Sequence, residues 1–155
     1  MAAPIALRTT VAATPGKIFH VLSQSEGLAS FWTTDSQAEQ EVGSIATFGF
    51  PTGSKLEVRV DELDYGRRVA WTPLNDLLTG PRWKGTSVTW DLRETDAGST
   101  DVLFQHANWP NHMSQADVAG TAYLWAQIVR ALKSYSETGI PQPFFAMAPP
   151  AHQQR

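Results

Sequence analysis

His106 is the side chain best placed to do chemistry in this sequence. Side-chain alternation along a strand over Thr100–Asn108 puts it on one apolar face with Val102, Phe104 and, at the end, Asn108. Burial on such a face holds imidazole neutral, in a form that orients a ligand carbonyl or acts as a base. The plainer alternative, which we favour, is a core histidine that hydrogen-bonds to a backbone carbonyl or to Asn108. Around it, Trp71, Trp83, Trp90 and Trp109 each offer a large apolar ring with a single N–H donor, the make-up of a wall for a flat apolar molecule. Trp32, Trp71 and Trp125 read first as core filling, whereas Trp90 and Trp109 suit either role. Arg82-Trp83-Lys84 would admit or clamp an acidic ligand head, although a charged loop is more often plain surface.

Other chemistries find little support. His106 and His112 are separated by Pro110, which is not the spacing of a helical metal pair, and His20 and His152 fall in a helix and in the tail, so no metal site is expected. Alternation turns Asp91 and Asp101 outward, away from any acid/base pair in a cavity. Ser87 and Ser114 lack a G-x-S-x-G context, and no glycine-rich phosphate loop leads into a helix. Hydrolase and nucleotide-dependent activities are therefore not expected, and neither is a cofactor.

The elements that would hold these residues are legible from periodicity. Ile5, Leu7, Thr9 and Val11 alternate with Ala6, Arg8 and Thr10, predicting a first strand over about Ile5–Ala12. Thr14-Pro15 reads as an N-cap with proline at the first helical position, opening a helix with Ile18, Phe19 and Leu22 on one side. A second short helix follows, carrying Leu28, Phe31 and Trp32. Turn residues at Gly43, 51–53, 64–66 and 96–98 then separate strands predicted at Gln37–Glu41, Ser44–Phe50, Lys55–Leu63, Arg68–Thr72, Thr86–Glu94 and Thr100–Asn108. Thr86, Val88, Trp90 and Leu92 share one face, as do Leu56, Val58 and Val60, and Val69 with Trp71. A last helix, Gln115–Thr138, sets Trp125, Ile128, Val129, Leu132 and Tyr135 in one stripe and stops at Gly139 ahead of Pro141. At about 1.5 Å per residue it would cross a whole small sheet. Prolines at 141, 143, 149 and 150, with Phe144, Phe145 and Met147 between them, predict an extended tail whose phenylalanines pack on the protein itself or on a partner chain.

Composition bounds the rest. The 155 residues are 42% hydrophobic and 17% charged, enough for one well-buried core. A net charge of −3 with scattered basic residues argues against nucleic acid and anionic lipid as partners. The absence of cysteine excludes disulfide and thiolate chemistry. The N-terminal residues do not read as an export signal, and no apolar run approaches the ~20 residues of a membrane span, so a soluble, cytoplasmic protein is expected.

Several stretches in order resemble one family. Thr14–Phe19 through Leu28–Trp32 is similar to its first helical segment, ending in a tryptophan. Arg67–Trp71, Val88–Leu92, Gly98–Val102, Gln105-His106 and Asn108-Trp109 resemble its later strands. Trp125, Leu132-Lys133 and Glu137–Gly139 follow the spacing of its final helix. The family is the SRPBCC, or START-like, superfamily of helix-grip proteins, and within it the bacterial proteins similar to the C-terminal domain of the heat-shock ATPase activator. The chain departs from the pattern at Leu124, where a glycine commonly precedes the helix tryptophan, and in the long loop Pro73–Lys84.

The resemblance implies an α+β helix-grip fold: a curved antiparallel sheet of six or seven strands around the long C-terminal helix, over residues 1–140, with a Pro-rich tail at 141–155. It also implies a cavity between sheet and helix for a small apolar or amphipathic molecule, for which strand alternation and the tryptophan set give Trp71, Trp83, Val88, Trp90, Phe104, His106, Asn108 and Trp109 as the expected lining. Two alternatives stand beside binding. One is a polyketide cyclase or dehydratase with His106 as base and Asn108 or an indole N–H polarising a carbonyl. The other is a protein-interaction module acting through the outer sheet face or the Phe144-Phe145 tail, with a homodimer among its forms.

Overall fold

The computed structural model describes residues 4–109 and 113–146. His112, His152 and the tail residues Met147, Pro149 and Pro150 singled out above lie outside the described residues. Ten elements follow one another: β1 Ile5–Val11, α1 Pro15–Ser23, α2 Ser25–Phe31, β2 Asp35–Gln37, β3 Ile45–Gly49, β4 Lys55–Asp64, β5 Arg68–Pro73, β6 Ser87–Glu94, β7 Thr100–Ala107 and α3 Gln115–Thr138. The strands form one antiparallel sheet in the order β1-β7-β6-β5-β4-β3-β2. A register shift between Val60 and Glu62 of β4 interrupts its ladder with β5, and a bulge of this kind adds twist and bend to a sheet. This is the helix-grip architecture, with α3 lying on the sheet's apolar face.

Local chemistry accounts for the element ends. Thr14 Oγ1 accepts the Lys17 N–H at 3.2 Å at the start of α1, and Ser114 Oγ accepts the Asp117 N–H at 3.0 Å at the start of α3. Gly139 closes α3 in the left-handed conformation, φ 74°, which costs a residue without a Cβ little. At its C-terminal end α3 grips the edge of the sheet: Lys133 Nζ donates to Thr10 O at 2.6 Å, and Glu137 Oε2 accepts the Ala12 N–H at 2.8 Å. Those two bonds satisfy backbone groups at the end of β1, and the Ala12 N–H, followed by the Lys133 ammonium at 2.7 Å, draws the Glu137 carboxyl below the usual carboxylate range.

Most strand ends fall within one residue of the sequence expectation, and two differences have a visible cause. The strand predicted at Gln37–Glu41 instead occupies Asp35–Gln37. Gln40 sits in the left-handed region at φ 53°, and its amide reaches back to Ser23 Oγ at 2.7 Å, so the chain turns onto α1 where a strand would have continued. The strand predicted to reach Asn108 ends at Ala107 because Asn108 has φ 62°. Tyr135, expected in the buried stripe of α3, is half-buried, while Trp125, Ile128, Val129 and Leu132 are buried as expected.

The core is a single aromatic cluster. Trp32, Trp90 and Trp125 are its largest fully buried side chains. Phe104 lies 4.4 Å from Trp125 and 4.7 Å from Trp90, centroid to centroid, so rings fill the space between β6, β7 and α3 at that level.

Candidate functional site

His106 sits at the centre of a polar relay inside this aromatic core. It is fully buried, and both ring nitrogens are engaged: Trp125 Nε1–H donates to Nδ1 at 3.1 Å, and Nε2 lies 2.9 Å from Thr86 Oγ1. An acceptor role for Nδ1 places the proton on Nε2, which donates to Thr86, and the Thr86 hydroxyl donates in turn to Trp83 O at 2.6 Å. The relay links α3, β7 and the loop between β5 and β6. Trp83 meets the imidazole edge-on at 4.7 Å, and Trp109 covers it at 4.1 Å while donating its own N–H to His106 O at 3.2 Å. Burial pushes the His106 pKa down to about 3, so the ring is neutral at physiological pH.

The loop of residues 74–86 is built by its own polar side chains. Asn75 bridges to β4, accepting the Glu57 N–H at 2.8 Å and donating to Lys55 O at 2.7 Å. Asp76 Oδ1 accepts the N–H groups of Trp83 and Lys84, each at 3.0 Å, which folds the loop back on itself. Its tip is tied to the β3–β4 turn through Leu78 N–H to Ser54 Oγ at 3.1 Å. Trp83 is thereby turned inward, stacking on Trp125 at 5.7 Å, while Arg82 and Lys84 on either side stay exposed.

The C-terminal residues supply another wall. Backbone N–H groups of Gln142, Phe144 and Phe145 donate to the carbonyls of Ser30, Phe31 and Trp32 at 3.1, 3.0 and 2.7 Å, and Phe145 O accepts from Thr34 N at 3.1 Å. These bonds satisfy carbonyls at the end of α2 and strap the chain against its own body. Phe145 packs edge-on against Phe50 at 5.1 Å. The phenylalanine pair thus takes the intramolecular of the two placements expected for it.

Between the loop, the strap and the N-terminal half of α3 lies an open groove of about 380 Å³. Its apolar lining is Trp32, Phe50, Leu77, Trp83, Leu124 and Ile128, with Phe145 along the strap side. Thr52, Ser54, Thr79, Asp117 and Thr121 supply its polar groups. Most of the wall is apolar with a few polar groups, the usual make-up of a small-molecule site, and the volume falls in the lower part of the ~300–1,000 Å³ such sites span.

The groove does not coincide with the lining expected from strand alternation. Of that set only Trp83 lines it. Trp71, Val88, Trp90, Phe104, His106 and Trp109 are all buried, forming the packed layer behind it. Asn108 corrects its expectation: the left-handed backbone takes it off the inner face, it is exposed, and its Nδ2 donates to Ser87 Oγ at 3.0 Å instead of reaching His106. Phe50, Leu77, Leu124 and Phe145 were not expected as lining. Leu124 and the loop 73–84 are the two places where the sequence departs from the helix-grip pattern, and both contribute to the groove.

Comparisons place the fold among known proteins. The sequence model for "Activator of Hsp90 ATPase homolog 1-like protein" matches residues 12–137. Among solved structures, the Aha1 dimer from Colwellia psychrerythraea is 29% identical with a TM-score of 0.74, over 88% of this chain and 98% of that one. A Staphylococcus saprophyticus protein is 19% identical with a TM-score of 0.74, over 94% and 100%. DynU16, from the dynemicin biosynthetic locus, is 20% identical with a TM-score of 0.72, over 92% of this chain and 50% of that one. No curated protein matches the chain. Among the described residues no helix is long and apolar enough to cross a membrane.

Proposed function

The chain belongs to the Activator of Hsp90 ATPase homolog 1-like family, and from that premise we propose that it binds a small apolar or amphipathic molecule, without covalent chemistry, in the groove between α3, the 74–86 loop and the C-terminal strap. The observation that carries this is the lining itself: two tryptophans, two phenylalanines, two leucines and an isoleucine around an open volume of about 380 Å³. His106 is the brace that keeps Trp83 and Trp125, and with them one wall, in place. The cyclase alternative requires a nitrogen lone pair free to take a proton from substrate. In this core Nδ1 already accepts from Trp125 and Nε2 carries the proton, so support goes to binding. The setting we propose is the cytoplasm.

The test uses N-phenyl-1-naphthylamine, an uncharged apolar fluorophore. Its emission is expected to rise and saturate with the wild-type protein. Leu124→Glu, at a half-buried groove position, is expected to weaken the affinity at least tenfold while leaving the melting temperature within a few degrees. Equal affinity for the two proteins would place the probe elsewhere and remove the reading. A homodimer is a second reading, favoured by the dimeric state of the Colwellia relative.

A further inference from the structure

Resting on that reading, we infer that the groove takes an amphipathic amine, its apolar body lying along α3 and its protonated head at Asp117. Asp117, Thr121, Leu124 and Ile128 line the groove at steps of four, three and four, so one face of α3 runs its length. At about 1.5 Å per residue that face spans about 16 Å. Chemistry and burial change together along it: Asp117 is exposed, Thr121 is buried with a hydroxyl, Leu124 is half-buried, and Ile128 is buried and wholly apolar. The groove therefore has a wet, charged end and a dry, apolar end, which is the polarity of an amphipathic ligand.

Electrostatics decides the head group. Asp117 is the sole ionisable side chain of the lining among the described residues, and its carboxylate makes no hydrogen bond or ion pair with them. Arg82 and Lys84, exposed on either side of Trp83, take no part in the lining. The N-terminus of α3 carries about half a positive charge, and Ser114 already takes the Asp117 N–H, so the full charge of the carboxylate outweighs it at this end. A carboxylate on the ligand would be repelled by Asp117, and a hydroxyl would gain little from it. An ammonium pairs with Asp117 while keeping its contact with water at the mouth, so it avoids the cost of burying a charge.

The experiment compares three molecules with one apolar chain and different heads: decylamine, decan-1-ol and decanoate. Each is titrated at neutral pH, where the amine is protonated and the acid ionised, to displace N-phenyl-1-naphthylamine from the full chain. The amine is expected to bind about three- to fivefold tighter than the alcohol, the order that a partly exposed ion pair contributes, with decanoate weakest. In Asp117→Asn the amine preference is expected to fall to near one with the melting temperature little changed, because the side chain is exposed. If that variant fails to fold, the wild type carries the test through salt: at about 0.5 M NaCl the amine preference is expected to shrink toward one, since screening acts on an exposed pair. Equal affinity of amine and alcohol, tightest binding of decanoate, or an amine preference that survives Asp117→Asn would each overturn the inference and leave the groove reading standing. Displacement by none of the three would also overturn it, while the groove reading itself stands or falls with Leu124→Glu.

Discussion

Replacing His106 with glutamine separates its hydrogen-bonding role from its titration. Glutamine offers an acceptor to Trp125 Nε1–H and a donor to Thr86 Oγ1, the two groups that imidazole serves, but it cannot take up a proton in the accessible pH range. Above pH 7.5 the variant is expected to be less stable by roughly 1–2 kcal/mol, since glutamine loses the ring contacts with Trp83 and Trp109 and keeps its bonds only in poorer geometry. Lowering the pH reverses the order. The pKa of His106 is about 3 in the folded protein, against about 6.5 in an unfolded chain. Between those values the unfolded state binds a proton that the folded state refuses, so this group makes stability fall as pH falls, by about 1.4 kcal/mol per unit. From pH 6.5 to 4.5 the wild type therefore loses about 2 kcal/mol that the variant keeps. Urea unfolding from pH 8 to 4.5 should show the two stability curves converging and crossing between about pH 6 and 5. Parallel curves would refute the reasoning, because they would mean that His106 titrates in the folded protein as it does in the unfolded one.

Glycine substitutions at two helical positions should have opposite signs. A Cβ at Gly27 would collide with the Val21 backbone at the elbow of α1 and α2, so Gly27→Ala is expected to lower stability by about 2 kcal/mol or more in denaturant titrations, whereas Gly120 faces open space on α3 and Gly120→Ala should gain about 0.5–1 kcal/mol. Light scattering on the purified chain is expected to give twice the monomer mass, and a monomer at tens of micromolar would dismiss the homodimer.

The parts of this fold legible in the sequence were those written in local patterns. The alternation in 86–94 and 100–108 placed β6 and β7 within a residue of their ends, and the Ser114 cap and Gly139 stop bounded α3. The segment around Gln40 was not legible, because its turn depends on an amide reaching a serine of α1 that is distant in sequence. Asn108 was misassigned for a related reason: alternation continues on paper past the residue where a left-handed backbone ends the strand.

The groove shows a deeper limit. Alternation tells which side chains face inward, as it did for Trp90, Phe104 and His106, but not whether the space they face is filled by other rings. The open volume is framed by a loop, a turn and the C-terminal strap, segments without periodicity that contribute residues from Trp32 to Phe145. The available signals were the unusual length of the 73–84 loop, the Asn75-Asp76 pair that folds it, and the adjacent phenylalanines at 144 and 145, each of which marks a wall only once the chain is closed.

The account stands most directly on where a ligand sits. Methyl resonances of the full chain, titrated with N-phenyl-1-naphthylamine, report that site by site. Saturating shifts at Leu77, Leu124 and Ile128, with Val58 and Val102 of the packed sheet unmoved, are the predicted result. Shifts centred on Val88 and Val102 with the groove methyls silent, or no saturable shift at all, would contradict it.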